Sequence, residues 1–296
     1  VGTECIDVTV VVSNYNQAPL IVGALDFLAQ SDFLPKLEIM VVDDCSSQGF
    51  AEVESAIRLL RDREVGKASL IRARRNLGVS AVRNIGLENA QGRFVCFHDG
   101  DDLWLDGWKV AVSELDRNGF RVLGTGEKAV THDKQIHSLS MSSINSIAQT
   151  RTHPIVKFPL DVPVMSATFL VAADIKTRFR SFLCRPTSLW PGKPPGWEDA
   201  VFWIEACAEN VGRVGRSGIN RIRQQHVPES SWHDGRSGFG WMSFPIIRPD
   251  LFTEAAIEKA VLLARKKKIE PDMLRKLALL SEEEILNGPI LFDRVL

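Results

Sequence analysis

The chain is poor in the features that would place it outside ordinary globular enzymes. Its five cysteines (Cys5, Cys45, Cys96, Cys184, Cys207) are scattered and form no CxxC pair. That argues against a zinc site or a disulfide framework and suits a reducing compartment. No apolar run reaches the length of a membrane span, and no signal-peptide pattern opens the sequence. Basic excess is also missing, since 36 Lys and Arg stand against 37 Asp and Glu for a net charge of −1, so nucleic acid is not expected as a partner. No GxGxxG follows the first apolar run, which argues against a dinucleotide oxidoreductase, and no Gly-rich phosphate loop stands there for a nucleotidyltransferase. Tyrosine occurs once, as Tyr15. Met is absent from position 1, which leaves open that the chain is part of something longer.

What is present is a regular alternation of apolar runs and amphipathic stretches within 296 residues. Val8–Val12, Leu37–Val42, Ala68–Arg72 and residues 93–98 read as short buried strands. Helical spacing occupies about Pro19–Gln30, Ala51–Arg63 and Gly78–Ala90. This alternation predicts a parallel sheet covered by helices. Beyond Gly107 the pattern loosens: residues 131–160 read as loops with short strands, Val164–Ala172 as a strand, and a helix is expected from Glu198 to Asn210. Residues 226–248 read as loop, followed by helices over Thr253–Lys268 and Pro271–Leu286.

Polar clusters close the predicted strands, at Ser13–Asn16, Asp43–Ser47 and Asp99–Asp102. In an open parallel sheet ligands bind beyond the carboxyl ends of the strands, so one sheet edge would gather all three. Three carboxylates within Asp99-Gly100-Asp101-Asp102 repel one another. A divalent cation would relieve that repulsion, because hard cations take carboxylate oxygens; a solvated turn capping the next helix is the plainer alternative. Gly100 allows close backbone approach. Asp43 or Asp44 could accept hydrogen bonds from a nucleotide base or ribose, or cap a helix. Tyr15 could stack on a base or simply wall the same pocket. Glu198 and Asp199 sit in a first helical turn, where the dipole favours acids, and Asp199 there could instead take the proton of an attacking hydroxyl. Trp190 and Trp197, beside Pro/Gly turns, are candidates for stacking on a sugar face.

Val8–Asn16, Val41–Ser47, Asn76–Gly86 and Phe94–Asp102, together with Gly196-Trp197-Glu198-Asp199, resemble in order and spacing the family 2 glycosyltransferases of the GT-A fold. The resemblance covers about residues 7–230 and implies a Rossmann-like α/β fold: a mostly parallel central sheet flanked by helices, with a C-terminal helical extension. It divides the chain into a donor half (1–105), an acceptor half (106–230) and a loop-plus-helix extension (231–296). The implied activity is inverting, non-processive transfer from a nucleotide-diphosphate sugar, a UDP-sugar foremost, to a glycan or lipid-linked acceptor.

The implied site residues are Ser13, Tyr15, Asn16, Asp43, Asp44, Arg83, Asp99 and Gly100 for the donor. Asp99, Asp101 and His226 would serve a Mn2+ or Mg2+ ion, with His226 equally open to a structural role. Asp199 would be the base, Glu198 would orient the acceptor or its loop, and Trp190 and Trp197 would meet the acceptor. Departures include Cys45 for the usual Gly, Ser47-Gln48 for Thr-Asp, His98 at a usually apolar position, and no Gln-x-x-Arg-Trp signature. They admit a second reading, a degenerate module that binds a nucleotide sugar or glycan without turnover. A cytoplasmic location is expected. The run Arg265-Lys266-Lys267-Lys268 either contacts the inner face of the membrane or is a solvated helix end.

Overall fold

The computed structural model describes residues 5–29, 36–62, 67–100, 102–104, 108–130, 136–138, 169–183, 198–210, 212–225, 240–266, 268–280, 284 and 291–296. The first part follows the expected alternation: β1 (Val8–Asn14), α1 (Ala18–Ala29), β2 (Leu37–Asp43), α2 (Phe50–Asp62), β3 (Lys67–Ala73), α3 (Val79–Asn89) and β4 (Phe94–Asp99). The next described elements are β5 (Asp102–Trp104), α4 (Trp108–Asn118), β6 (Val122–Val130), β7 (Ile136–Ser138) and β8 (Phe169–Ala172). Then come α5 (Glu198–Glu209), β9 (Val214–Gln225), α6 (Gly240–Ile247), α7 (Glu254–Lys266), α8 (Pro271–Leu279) and β10 (Phe292–Arg294).

Among the described residues the strands form one sheet in the order β10-β3-β2-β1-β4-β8-β6-β9-β5, with β7 on β6. β3, β2, β1 and β4 are parallel neighbours. Beyond β4 the sheet is mixed: β8 runs antiparallel to β4 and β6, and β9 runs parallel to β6. The chain builds outward from β1 to β3 and then returns to place β4 on the other side of β1. That reversal opens a crevice at the carboxyl ends of β1 and β4, where open α/β sheets bind ligands.

Strand side chains alternate between faces, and the two faces bury different helices. Val10, Val12, Ile39, Val41 and Leu70 pack with α1, α2 and α4, through Ile21, Leu25, Val53, Ile57, Ala111 and Leu115. Val11, Met40, Val42, Ile71 and Phe97 pack with α3 and α5, through Ala81, Ile85, Phe202 and Trp203. Phe244 of α6, Ala260 of α7 and Leu274 of α8 join that second cluster, so the C-terminal helices share a core with the sheet. Helix α3 lies so close to β1 that a Cβ on Gly86 would collide with Val11.

Three features depart from the sequence expectations. Residues 226–248 read as loop, yet Gly240–Ile247 is helical despite Pro245; residues 226–239 lie outside the described residues. The helix expected over Pro271–Leu286 is interrupted after Leu279, and Glu284 is again helical. The last residues return to the sheet, with β10 antiparallel to β3 and Arg74 donating to Asp293 at 2.7 Å.

Candidate functional site

The carboxyl ends of β1, β2 and β4 meet as anticipated: Ser13 is the register partner of Asp99 across β1 and β4, and Asn14 that of Asp43 across β1 and β2. Two left-handed residues shape the loops above them, Asn16 (φ 55°) and Cys45 (φ 61°). Non-glycine residues rarely hold that conformation without local support. Support comes from Asn16 Oδ1, which accepts the amides of Ser47 (2.9 Å) and Gln48 (3.1 Å), while Ser46 Oγ accepts the Asn16 amide at 2.9 Å. Tyr15 projects from this loop, half exposed. The buried Ser13 hydroxyl has no hydrogen-bond partner among the described residues.

The two acids at the end of β2 both accept hydrogen bonds from protein donors. Fully buried Asp43 accepts Asn14 Nδ2 at 2.7 Å and the Ser46 amide at 3.0 Å, with Arg72 Nε at 3.4 Å. Arg72 also donates to the Ser46 carbonyl at 2.8 Å and stacks over Phe50 at 4.1 Å. Asp44 accepts Asn76 Nδ2 (2.9 Å) and the amides of Leu77 (2.6 Å) and Gly78 (2.8 Å). Asp44 thereby fixes the turn that leads into α3, where Gly78 holds φ 84°. Asn76 and Gly78 shape this turn, as their positions before a helix suggest.

Arg83 is the hub of the site. It lies on α3 with 3% of its side chain exposed, and donates Nη2–H to Asp99 Oδ1 at 2.8 Å and Nη1–H to Glu198 Oε1 at 2.9 Å. Its guanidinium carbon sits 5.3 Å from the ring centroid of Phe179. Burial works against the guanidinium charge, but Asp99, Glu198 and Asp199 outweigh it and hold the group ionised. Asp199, partly buried at the start of α5, has its pKa pushed up to about 7. Burial is the main cause, the charges of Glu198 and Asp99 add to it, and Arg83 opposes it. Glu198 and Asp199 therefore open a helix, as expected, and also face the end of β4.

α3 and α5 are joined through the segment before α5. Asn84 Nδ2 donates to the Phe179 carbonyl at 2.9 Å, and the Phe179 amide donates back to Asn84 Oδ1 at 2.8 Å. The Phe179 ring stacks on Phe202 of α5 at 4.1 Å and 10°. Further along α5, Glu205 accepts Arg180 Nη2 and Arg248 Nη1, each at 2.7 Å. Asn84, Phe179 and Glu205 were not singled out by sequence reasoning. Their only sequence signal is polarity or an aromatic ring, and their partners lie far away along the chain.

Gly100 packs against α1, where a Cβ would stand 2.5 Å from Ile21 Cδ1. Trp203 is core, and His98 is fully buried. Asp101, His226, Trp190 and Trp197 lie outside the described residues. Among the described residues no group of three or more His, Cys, Asp and Glu forms a metal site. Of the residues expected to serve a cation, the described one is Asp99, a carboxylate of the kind hard cations take, and its Oδ1 accepts from Arg83.

A family model described as glycosyl transferase family 2 matches residues 9–167. The succinoglycan biosynthesis protein ExoO of Rhizobium meliloti is 40% identical over 97 residues, which cover 32% of this chain and 26% of that protein. The structure of Staphylococcus aureus TarS 1–349 in complex with UDP-GlcNAc aligns with a TM-score of 0.59 at 20% identity, covering 94% of this chain and 77% of that one. The mannosyltransferase PcManGT of Pyrobaculum calidifontis, in complex with GDP-Man and Mn2+, aligns with a TM-score of 0.54 at 17% identity, covering 96% and 73%. These structural likenesses show the fold. The chain spans about a third of the length of the curated relatives it matches.

Proposed function

The chain belongs to glycosyl transferase family 2, and from that premise we propose that it moves a sugar from a nucleotide-diphosphate sugar, a UDP-sugar foremost, to a hydroxyl of a glycan or lipid-linked acceptor, with inversion. The observation that carries this reading is the single buried guanidinium of Arg83, which joins the donor end of β4 at Asp99 to the start of α5 at Glu198. The next residue, Asp199, has a carboxyl tuned to about pH 7. A general base works best with a pKa near the operating pH.

The transfer balances as one displacement. Asp199 takes the proton of the acceptor hydroxyl, the oxygen forms its bond to the anomeric carbon, and the bond to the β-phosphate oxygen breaks. The nucleoside diphosphate leaves with the electron pair, from the face opposite attack, as in the logic of inverting glycosidases. Asp44 holds the turn before α3, and Asn16 and Ser46 hold the loop that carries Tyr15, so the base and ribose would meet preset backbone. Asp99 and Asp101 are the residues that would hold a divalent cation, Mn2+ or Mg2+, with His226 a further candidate. Such an ion would supply Lewis-acid stabilisation of the leaving diphosphate.

The relatives support the substrate class: one solved neighbour holds UDP-GlcNAc, another GDP-Man with Mn2+. Among the described residues no helix is long and apolar enough to cross a membrane. The exposed basic end of α7, at Arg265 and Lys266, is the surface that would meet an anionic membrane carrying a lipid-linked acceptor. Product analysis by proton NMR tests the reaction class. The new linkage is expected to have the anomeric configuration opposite to that of the donor, and retention would contradict the single-displacement mechanism.

A further inference from the structure

We propose that Arg83 is a positioning residue: acting through Glu198, it fixes the first turn of α5 against the end of β4 so that Asp199 is presented to the reacting hydroxyl. The proposal rests on the glycosyltransferase reading above and assigns Arg83 and Glu198 a joint task within it. Glu198 is separated from Arg83 by 115 positions, with β4–β8 between them in the chain, yet its Oε1 accepts the Arg83 Nη1–H at 2.9 Å. The carboxylate is turned inward toward α3, with 13% of its side chain exposed.

Arg83 is held rigid enough to serve as a brace. Its guanidinium is a planar fork, with one arm on Asp99, the other on Glu198, and its central carbon over the Phe179 ring. Phe179 is itself locked by two hydrogen bonds to Asn84, one position along from Arg83 on α3, and by stacking on Phe202 of α5. The α3 helix thus grips the start of α5 at two points, one polar and one aromatic. Lysine would keep the charge and lose the fork. A catalytic group misplaced by about 1 Å can cost on the order of 100-fold in rate, which is the scale on which this brace should register.

The experiment compares Arg83→Lys, Glu198→Gln and the double variant with wild type, using nucleoside diphosphate release from whichever UDP-, GDP- or dTDP-sugar wild type consumes, and UDP with Mn2+ as the binding probe. Each single variant is expected to lower kcat by about 100-fold, with the acceptor KM and the UDP affinity within a few-fold of wild type. The double variant should be no worse than the poorer single, because both remove one brace. UDP affinity falling in step with kcat would make Arg83 a nucleotide ligand and overturn the proposal. So would an unchanged kcat, or losses that multiply in the double variant.

Hydrogen exchange gives an arm independent of turnover. Amides 202–205 bond the carbonyls of 198–201 in a regular helix. In Arg83→Lys they should exchange at least about 10-fold faster while β1 and β2 keep their protection, as expected for a local opening; unchanged exchange at 202–205 would overturn the brace. Should wild type consume no donor, the function proposed above falls, and exchange still decides the brace.

Discussion

Replacing Asp199 with Asn should make the protein more stable and less active, and the size of the first effect follows from the surroundings of the carboxyl. Burial, with the charges of Glu198 and Asp99, lifts its pKa from 3.8 to about 7. A group raised in this way keeps its proton in the folded chain at pH values where the unfolded chain has released it. Its favourable contribution is therefore complete below pH 3.8 and is lost as pH rises to about 7. Roughly three units at about 1.4 kcal/mol each set a ceiling on the order of 4 kcal/mol for the cost of ionising it. Its partial exposure reduces the expectation to about 2 kcal/mol.

Asn carries no such charge. At pH 8 the variant should therefore melt higher by roughly 4 °C, and at pH 4 the difference should nearly vanish. Differential scanning fluorimetry across that range measures it, and nucleotide release should fall by about 100-fold or more if Asp199 is the base. A variant less stable than wild type at pH 8, or a difference that does not grow with pH, would refute the electrostatic account of the site. Near-normal transfer would remove Asp199 from the role of base.

Other perturbations probe the supporting structure. Asp44→Ala leaves the Leu77 and Gly78 amides without their acceptor, and should cost about 2–4 kcal/mol in urea unfolding along with nucleotide binding. Glu205→Ala removes the carboxylate partner of Arg180 and one of the two carboxylate partners of Arg248, which keeps Asp250, with an expected loss of about 1–3 kcal/mol; a loss well below about 1 kcal/mol would show that the pairs are solvated. Gly86→Ala forces a Cβ into Val11 and should destabilise by about 1–3 kcal/mol without altering the pH profile. If Asp99 helps to hold a cation, Asp99→Asn should abolish the gain in UDP affinity that Mn2+ confers on wild type, while affinity without Mn2+ changes little.

The first part of the chain, from β1 to β4, was legible because its signals are local. Val8–Asn14, Leu37–Asp43 and Phe94–Asp99 are apolar runs closed by polar residues, and their parallel pairing brings those closures together. β9 was not legible: Val-Gly-Arg-Ser-Gly-Ile-Asn-Arg-Ile-Arg-Gln-Gln shows no clean alternation, and the strand is organised by its pairing with β6 and β5. α6 carries Pro245, which argues against a helix locally, yet Phe244, Ile246 and Ile247 gain burial in the shared core. Within the site, sequence named Arg83, Asp99, Glu198 and Asp199 separately. Their convergence depends on Asn84 and Phe179 joining α3 to the segment before α5, a contact between residues 95 positions apart with no periodicity to reveal it. The acids at the end of β2 carry a second task that no local signal showed. Asp43 and Asp44 read as donor-binding candidates, and their carboxylates also accept from Asn14, Ser46, Asn76, Leu77 and Gly78.

The central claim is that the crevice between β1 and β4 receives a nucleotide sugar. Isothermal titration calorimetry of the wild-type chain with UDP-, GDP- and dTDP-sugars, each with and without Mn2+, tests it most directly. One nucleotide class, UDP foremost, is expected to bind in the micromolar range, roughly −8 kcal/mol, more tightly with Mn2+ and more weakly in Asp99→Asn. Heat of binding from none of the donors, in the presence of Mn2+, would contradict the account.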